Sequence, residues 1–321
     1  MGMLVNGVWR DAGHDTKAGE FLRNESVFRD GISADGSSGF GAEAGRYHLY
    51  VSLACPWAHR TLILRTLKGL ENSISVSIVD PYMGPDGWSF SDRPGCTGDT
   101  ANGAILLREV YLKARPDYTG RVTVPVLWDC RTATIVNNES AEIIRMLNRE
   151  FNAFASRRLP DLYPDSLRPE IDRWNALIYR TVNNGVYRAG FATQQDKYET
   201  AVRSLFETLN ILDEHLGRHR YLCGTELTEA DWRLFTTLVR FDAVYYAHFK
   251  CNLQRLSDFR NLWDYARELY QVPGIAATVD MAQIKEHYYR SQARINPTGI
   301  VPVGPSIDFA APHGREARAP A

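Results

Sequence analysis

Residues 46–54 form an apolar-rich, β-prone run that ends in Ala54. A helical pattern then starts at Pro56 and continues through Leu62, Ile63, Leu64, Leu67 and Leu70. This predicts a strand over 46–54 and a helix over 56–70, with Pro56 at the first helical position, where a missing N–H costs nothing. Residues 74–79, Ile-Ser-Val-Ser-Ile-Val, alternate with period two and predict a second strand. Strand, helix and strand at this spacing make a parallel βαβ unit. Residues 81–120 break the pattern. Pro81-Tyr82-Met83-Gly84-Pro85-Asp86-Gly87-Trp88 is turn chemistry, and only 105–113 reads as a short helix. The pattern resumes with strands at 122–129 and 134–136 joined by a hairpin turn. Asn137-Asn138-Glu139-Ser140 then opens a helix carrying Ile143, Ile144, Leu147 and Phe151.

The order β-α-β, long loop, β-β-α is that of an α/β thioredoxin-like domain. Leu159-Pro160-Asp161-Leu162-Tyr163-Pro164 reads as a linker. From Arg168 onward the pattern is helical throughout, with helices expected at 168–183, 194–216, 229–247, 258–271 and 275–287. Thr228 and Asp231 look like a capping box at the start of the third, with Leu227 as its staple. The expected organisation is an extension over 1–45, a thioredoxin-like domain over 46–158, an all-α domain over 168–290, and an extended segment and tail over 291–321. Trp9, Phe21, Phe28 and Phe40 suggest that the N-terminal arm is docked on the body. After Asp308 the tail is small and charged, and disorder is expected.

Composition narrows the function classes. The chain has 321 residues, 44% hydrophobic and 23% charged, with a formal net charge of −1. Without a Lys/Arg cluster, that charge excludes a nucleic-acid footprint. Residues 1–25 lack the apolar core of a secretory signal, and no run is long enough to span a bilayer. The five cysteines, Cys55, Cys96, Cys130, Cys223 and Cys251, are odd in number, widely spaced and free of any C-x-x-C pair. This fits a reducing, cytoplasmic compartment and argues against a zinc or other metal site. Cys55 stands at a strand-to-helix junction. The partial positive charge and unpaired N–H groups of a helix start favour the thiolate, the reactive form. His59 and Arg60 add donors nearby. A buried structural cysteine is the alternative reading. Position 58, where a dithiol motif places its second cysteine, is Ala58.

Longer stretches carry a closer likeness. They are Cys55-Pro56-Trp57-Ala58-His59-Arg60; Gly87-Trp88-Ser89-Phe90; Tyr118-Thr119-Gly120-Arg121-Val122-Thr123-Val124-Pro125-Val126-Leu127-Trp128-Asp129; Asn137-Asn138-Glu139-Ser140; and Ile284-Lys285-Glu286-His287-Tyr288-Tyr289-Arg290-Ser291 followed by Ile295-Asn296-Pro297. Together, across roughly residues 4–305, these resemble the glutathionyl-hydroquinone reductases, the Xi-class glutathione transferases. Gln292 departs from the pattern, where the family resemblance leads one to expect His.

The resemblance implies a two-domain glutathione transferase architecture, with glutathione as co-substrate, glutathionylated aromatic diols as substrates and a homodimer as the assembly. It implies Cys55 as catalytic nucleophile. Val124, before a cis-proline at Pro125, would pair its backbone with glutathione like an added strand. Glu139 and Ser140 would meet the ammonium and carboxylate of the γ-glutamyl end; from the residues alone, a capped helix with an exposed acid is the alternative. Arg121 and Trp88 would be further glutathione contacts. Tyr187 and Tyr288 match the aromatic-substrate side, with Tyr245 and His248 as weaker candidates. The remaining four cysteines are expected to be structural. Rival readings are an omega-like thioltransferase or dehydroascorbate-type reductase, and a non-catalytic binding module.

Overall fold

The computed structural model describes residues 2–11 and 16–315. The arm forms three short pairs: β1 (Gly2–Val5) with β2 (Val8–Asp11), β3 (Thr16–Lys17) with β4 (Glu20–Phe21), and β5 (Ile32–Ser33) with β6 (Phe40–Gly41). The chain folds as two compact units. The first contains the described residues of Met1–Gly13, together with Asn24–Pro160 and Ala282–His287. The second contains the described residues of His14–Arg23, Asp161–Met281 and Tyr288–Ala321.

The first unit is built on a four-stranded sheet. Its strands are β7 (Tyr47–Val51), β8 (Ile74–Ile78), β9 (Val126–Asp129) and β10 (Thr134–Asn137), in the order β10-β9-β7-β8. β7 runs parallel to β8, with Tyr47 opposite Ile74, and antiparallel to β9, with Tyr47 opposite Asp129. All five residues of β7 are buried, which explains its near-continuous apolar reading. At the start of β7, Arg46 makes two bonds to Asp129, at 2.9 and 2.7 Å. At the other end the chain enters α1 (Pro56–Leu67), with Cys55 as N-cap. α1 packs on α3 (Ser140–Arg149), and α2 (Leu107–Ala114) packs on β10.

Apart from residues 16–23, which belong to the second unit, the described part of the arm is docked within this unit. Leu4 pairs with Gly120, Trp9 Nε1 donates to the Pro85 carbonyl at 3.0 Å, and Phe28 N donates to Asn138 Oδ1 at 3.1 Å. The long loop is ordered by two carboxylates. Asp99 accepts from the backbone of Ala101, Asn102 and Ala104 and from the Tyr50 hydroxyl. Asp80 accepts from Tyr82 N, Ser91 and Arg93.

The second unit is helical: α4 (Arg168–Ile178), α5 (Gly185–Gly190), α6 (Gln195–Arg218), α7 (Glu229–Leu238), α8 (Arg260–Tyr270) and the end of α9 (Met281–Ser291). The capping box at Thr228 and Asp231 is formed. The buried Asp231 carboxylate also accepts from Leu222 N and from the Tyr265 hydroxyl. Two expected helices are shorter than their apolar pattern. The helix read at 168–183 gives way to a π turn over Tyr179–Asn183, and the one read at 229–247 to a π turn over Phe241–Tyr245. The tail also differs from expectation. Phe309 packs between Trp263 and Tyr270, and the buried Arg315 donates to Glu268 at 2.7 Å. A buried counter-charge makes a charged tail residue part of the core. Residues 316–321 of the expected disordered tail lie outside the described residues. Among the described residues no helix is long and apolar enough to cross a membrane.

Candidate active site

The nucleophile candidate sits where β7 hands over to α1. Cys55 adopts extended dihedrals (φ −78°, ψ 121°), and its carbonyl accepts the first helical bond from His59 N at 3.0 Å. Its thiol points at the backbone of Val124, with Sγ 3.6 Å from the Val124 carbonyl oxygen. The Val124–Pro125 peptide is cis. The structure thus brings Cys55 and Val124 together, as the sequence suggested.

Glu139 caps α3. Its Oε1 accepts from Ala141 N at 3.0 Å and its Oε2 from the Ser26 hydroxyl at 3.2 Å. Asn137 sets this turn by accepting from Glu139 N at 2.7 Å. Ser140 is buried, and its hydroxyl accepts from Arg60 Nη1 at 3.4 Å. The buried Arg60 guanidinium also lies 4.5 Å over the Trp57 ring. Sequence reasoning named Arg60 only as a nearby charge; its place one helical turn into α1, facing α3, is a tertiary fact. Arg121 Nη1 donates to the Gly2 carbonyl at 3.4 Å. Trp88 is buried and stacks on His287, with ring centroids 4.8 Å apart. His287 was not singled out from the sequence, although it lies inside the quoted C-terminal motif.

The tyrosines gather in the second unit. Tyr288 is the centre of the cluster: its hydroxyl lies 2.6 Å from that of Tyr187 and 3.0 Å from that of Tyr245. Both π turns contribute to this arrangement. One ends just before α5, which carries Tyr187, and the other contains Tyr245. Such insertions often mark functional sites because they re-aim side chains without ending the helix. Phe249 wedges against Tyr187 and Tyr245, at 5.5 and 5.6 Å. A Cβ at Gly190 would come within 2.2 Å of the Phe249 ring, so only glycine lets it approach. Burial, reinforced by the neighbouring Tyr187 phenol, pushes the Tyr245 and Tyr288 phenols well above their usual value of 10. From the arm, the Arg23 guanidinium sits 5.0 Å over the Tyr187 ring, a neighbour no local pattern announced.

His248 is a partner of Gln292, Nε2 to Oε1 at 2.9 Å. Burial lowers its pKa and the Gln292 bond partly offsets this. The departure noted at position 292 therefore falls directly against this histidine. Burial raises the Cys223 thiol to about 12 and also raises those of Cys251 and Cys96. Among the described residues no cluster of three or more His, Cys, Asp or Glu side chains is placed to hold a metal ion.

Residues 54–150 match the model of the glutathione S-transferase N-terminal domain, and residues 195–268 that of its C-terminal domain. The chain is 56% identical to the glutathionyl-hydroquinone reductase YqjG of Escherichia coli, covering 99% of each. The solved glutathione-bound structure of that protein superposes with a TM-score of 0.91, at 54% identity in that alignment, over 99% of this chain and 100% of the other. The glutathionyl-hydroquinone reductase PcpF of Sphingobium chlorophenolicum is 55% identical over 95% of this chain and 97% of its own. A Xi-class transferase from Natrialba magadii gives a TM-score of 0.93 at 54% identity, over 98% of this chain and 96% of the other. The chain belongs to the Xi-class glutathione transferases, the family of the glutathionyl-hydroquinone reductases.

Proposed function

We propose that this chain reduces S-glutathionyl-hydroquinones to hydroquinones, using glutathione as the donor and Cys55 as the relay. The observation that carries the reading is the Cys55 thiol at the start of α1, aimed at the Val124 backbone beside Pro125. Full-length similarity to two proteins named for this reaction supports it.

The Cys55 thiolate attacks the glutathionyl sulfur. The carbon–sulfur bond breaks, its electron pair passes to the aromatic ring, and a proton completes the hydroquinone. Cys55 is left in a mixed disulfide with glutathione. A second glutathione thiolate attacks the glutathione sulfur of that disulfide, oxidised glutathione leaves, and the Cys55 thiolate is restored. In this reading Val124 pairs with the glutathione backbone. Ser140 and the α3 N-terminus take the γ-glutamyl carboxylate, and Glu139 takes the ammonium. Arg121 meets a carboxylate, and Trp88 supplies an apolar wall. Tyr187 and Tyr288 act as catalytic donors to the quinol oxygens.

Residues 46–158 would then be the glutathione-binding domain and 168–290 the domain of the tyrosines, flanked by extensions at 1–45 and 291–321. The cysteine usage supports a cytoplasmic setting, and the family resemblance supports a homodimer. The test is turnover of a panel of glutathionylated hydroquinones with free glutathione. Cys55→Ser should abolish it; normal turnover by that variant would sink the mechanism.

A further inference from the structure

One face of α9 grips the loop that carries Trp88. Gln283, Glu286 and His287 stand at i, i+3 and i+4, so their side chains leave the helix on the same side. The His287 ring stacks on Trp88 at an interplanar angle of 21°, and its Nδ1 donates to the Pro81 carbonyl at 2.9 Å. The imidazole therefore holds both ends of the 81–88 turn. Glu286 accepts from Arg93 Nη2 through both oxygens, at 3.0 and 2.9 Å, and Nη1 of the same guanidinium donates to Asp80 at 3.1 Å. That relay braces the loop just before and just after the turn. Both His287 and Trp88 are buried, so the stack is part of the packed interior rather than a surface contact.

We infer that His287 is a positioning residue for glutathione: it fixes the Trp88 indole in the pose that meets the tripeptide, with Glu286, Arg93 and Asp80 bracing the same loop. The inference rests on reading Trp88 as a glutathione contact. An indole held in place before binding spares the ligand the cost of ordering it. The glutathionyl group of the substrate fills this cradle, as free glutathione does in the resting enzyme. Loosening Trp88 therefore weakens both to a similar degree and leaves the sulfur chemistry at Cys55 alone.

The experiment compares His287→Ala, His287→Phe and Trp88→Ala in the full chain. It measures KM for glutathione and for one glutathionylated hydroquinone, kcat, the melting temperature and the glutathione Kd by titration calorimetry. His287→Ala should raise KM for the glutathionylated hydroquinone and the glutathione Kd by about two- to tenfold, the usual worth of one aromatic stack. Its kcat should stay within about twofold of wild type. His287→Phe keeps a ring on Trp88 and should recover most of the loss. If His287→Ala binds glutathione like wild type while Trp88→Ala binds it weakly, the inference falls and the reading of Trp88 stands. If Trp88→Ala also binds normally, both fall. A lowered melting temperature with unchanged KM and Kd would mark a purely structural role and overturn the inference. Should His287→Ala fail to fold, Glu286→Gln carries the test: a raised Kd supports the inference and an unchanged one overturns it.

Discussion

Replacing Tyr288 with Phe removes one oxygen from the centre of the tyrosine cluster. Its hydroxyl lies 2.6 Å from that of Tyr187 and 3.0 Å from that of Tyr245, and Tyr245 and Tyr288 are both buried. Losing a bond partner inside such a cluster costs about 1–3 kcal/mol of stability. A structural role alone thus predicts a lower melting temperature and nearly normal turnover. The proposed role predicts more. A phenol that donates in the transition state contributes about 10²–10⁴ in rate, so kcat should drop by at least an order of magnitude while KM for glutathione stays put. The pH profile gives a second readout. Burial holds the Tyr245 and Tyr288 phenols well above 10, so both remain protonated across the working range and, in the proposed role, would donate rather than act as bases. The wild-type rate should show no alkaline limb from these tyrosines below about pH 10. Steady-state kinetics of Tyr288→Phe over that range, alongside thermal melts, checks both. Turnover within about twofold of wild type would refute a catalytic role, and so would an alkaline limb that disappears in the variant, since it would mean a phenolate base.

Two further predictions concern the scaffold under Cys55. Asp129→Asn leaves the buried Arg46 guanidinium with only the half-exposed Glu43 as charged partner and should cost about 3 kcal/mol in urea unfolding, whereas Arg46→Met with Asp129→Leu should recover much of it; an equal loss in single and double variants would show that packing, not charge pairing, dominates. His48, buried in β7 with its Nδ1 2.7 Å from the Ser75 hydroxyl, is pushed by burial from 6.5 to about 4. Its neutral form favours folding above pH 6.5, and that contribution is lost as pH falls through about 4. The loss amounts to about 3 kcal/mol, which denaturation midpoints of wild type against His48→Phe should expose as a steeper acid dependence in wild type.

How much was legible in the chain depended on whether the signal was local. β7, α1 and β8 carry their periods in consecutive residues, and so does the capping box at Thr228 and Asp231. The π turns do not. An i→i+5 turn keeps the apolar stripe running, so 168–183 and 229–247 read as unbroken helices although Tyr245 is presented by the break. Cys55 was singled out by its place at a strand-to-helix boundary, whereas the roles expected of Val124, Glu139 and Ser140 came from the family resemblance. The contacts of His287 with Trp88 and of Arg60 with Ser140 went unread because the partners are about 200 and 80 residues apart in sequence, and no local pattern encodes a stack or a cross-helix bond at that range.

The proposed single-cysteine relay rests on packing as much as on the motif. Ala58 lies in the first turn of α1 with no exposed surface, so the place where a dithiol enzyme keeps its resolving sulfur is filled by a methyl group inside the core. Cys223 and Cys251 are buried with raised thiols, and Cys96 and Cys130 also have their thiols raised by burial, so none of the four is primed for attack. A mixed disulfide at Cys55 then has to be opened by a thiol from outside. In the proposed relay the incoming glutathione must be recognised beside the one already attached, which asks more of the binding surface than of the nucleophile. That demand gives physical sense to a long insertion whose turns are fastened by Asp80, Asp99 and the α9 side chains. A loop that only covered the sheet edge would not need an ion relay and a buried aromatic stack to hold one tryptophan still.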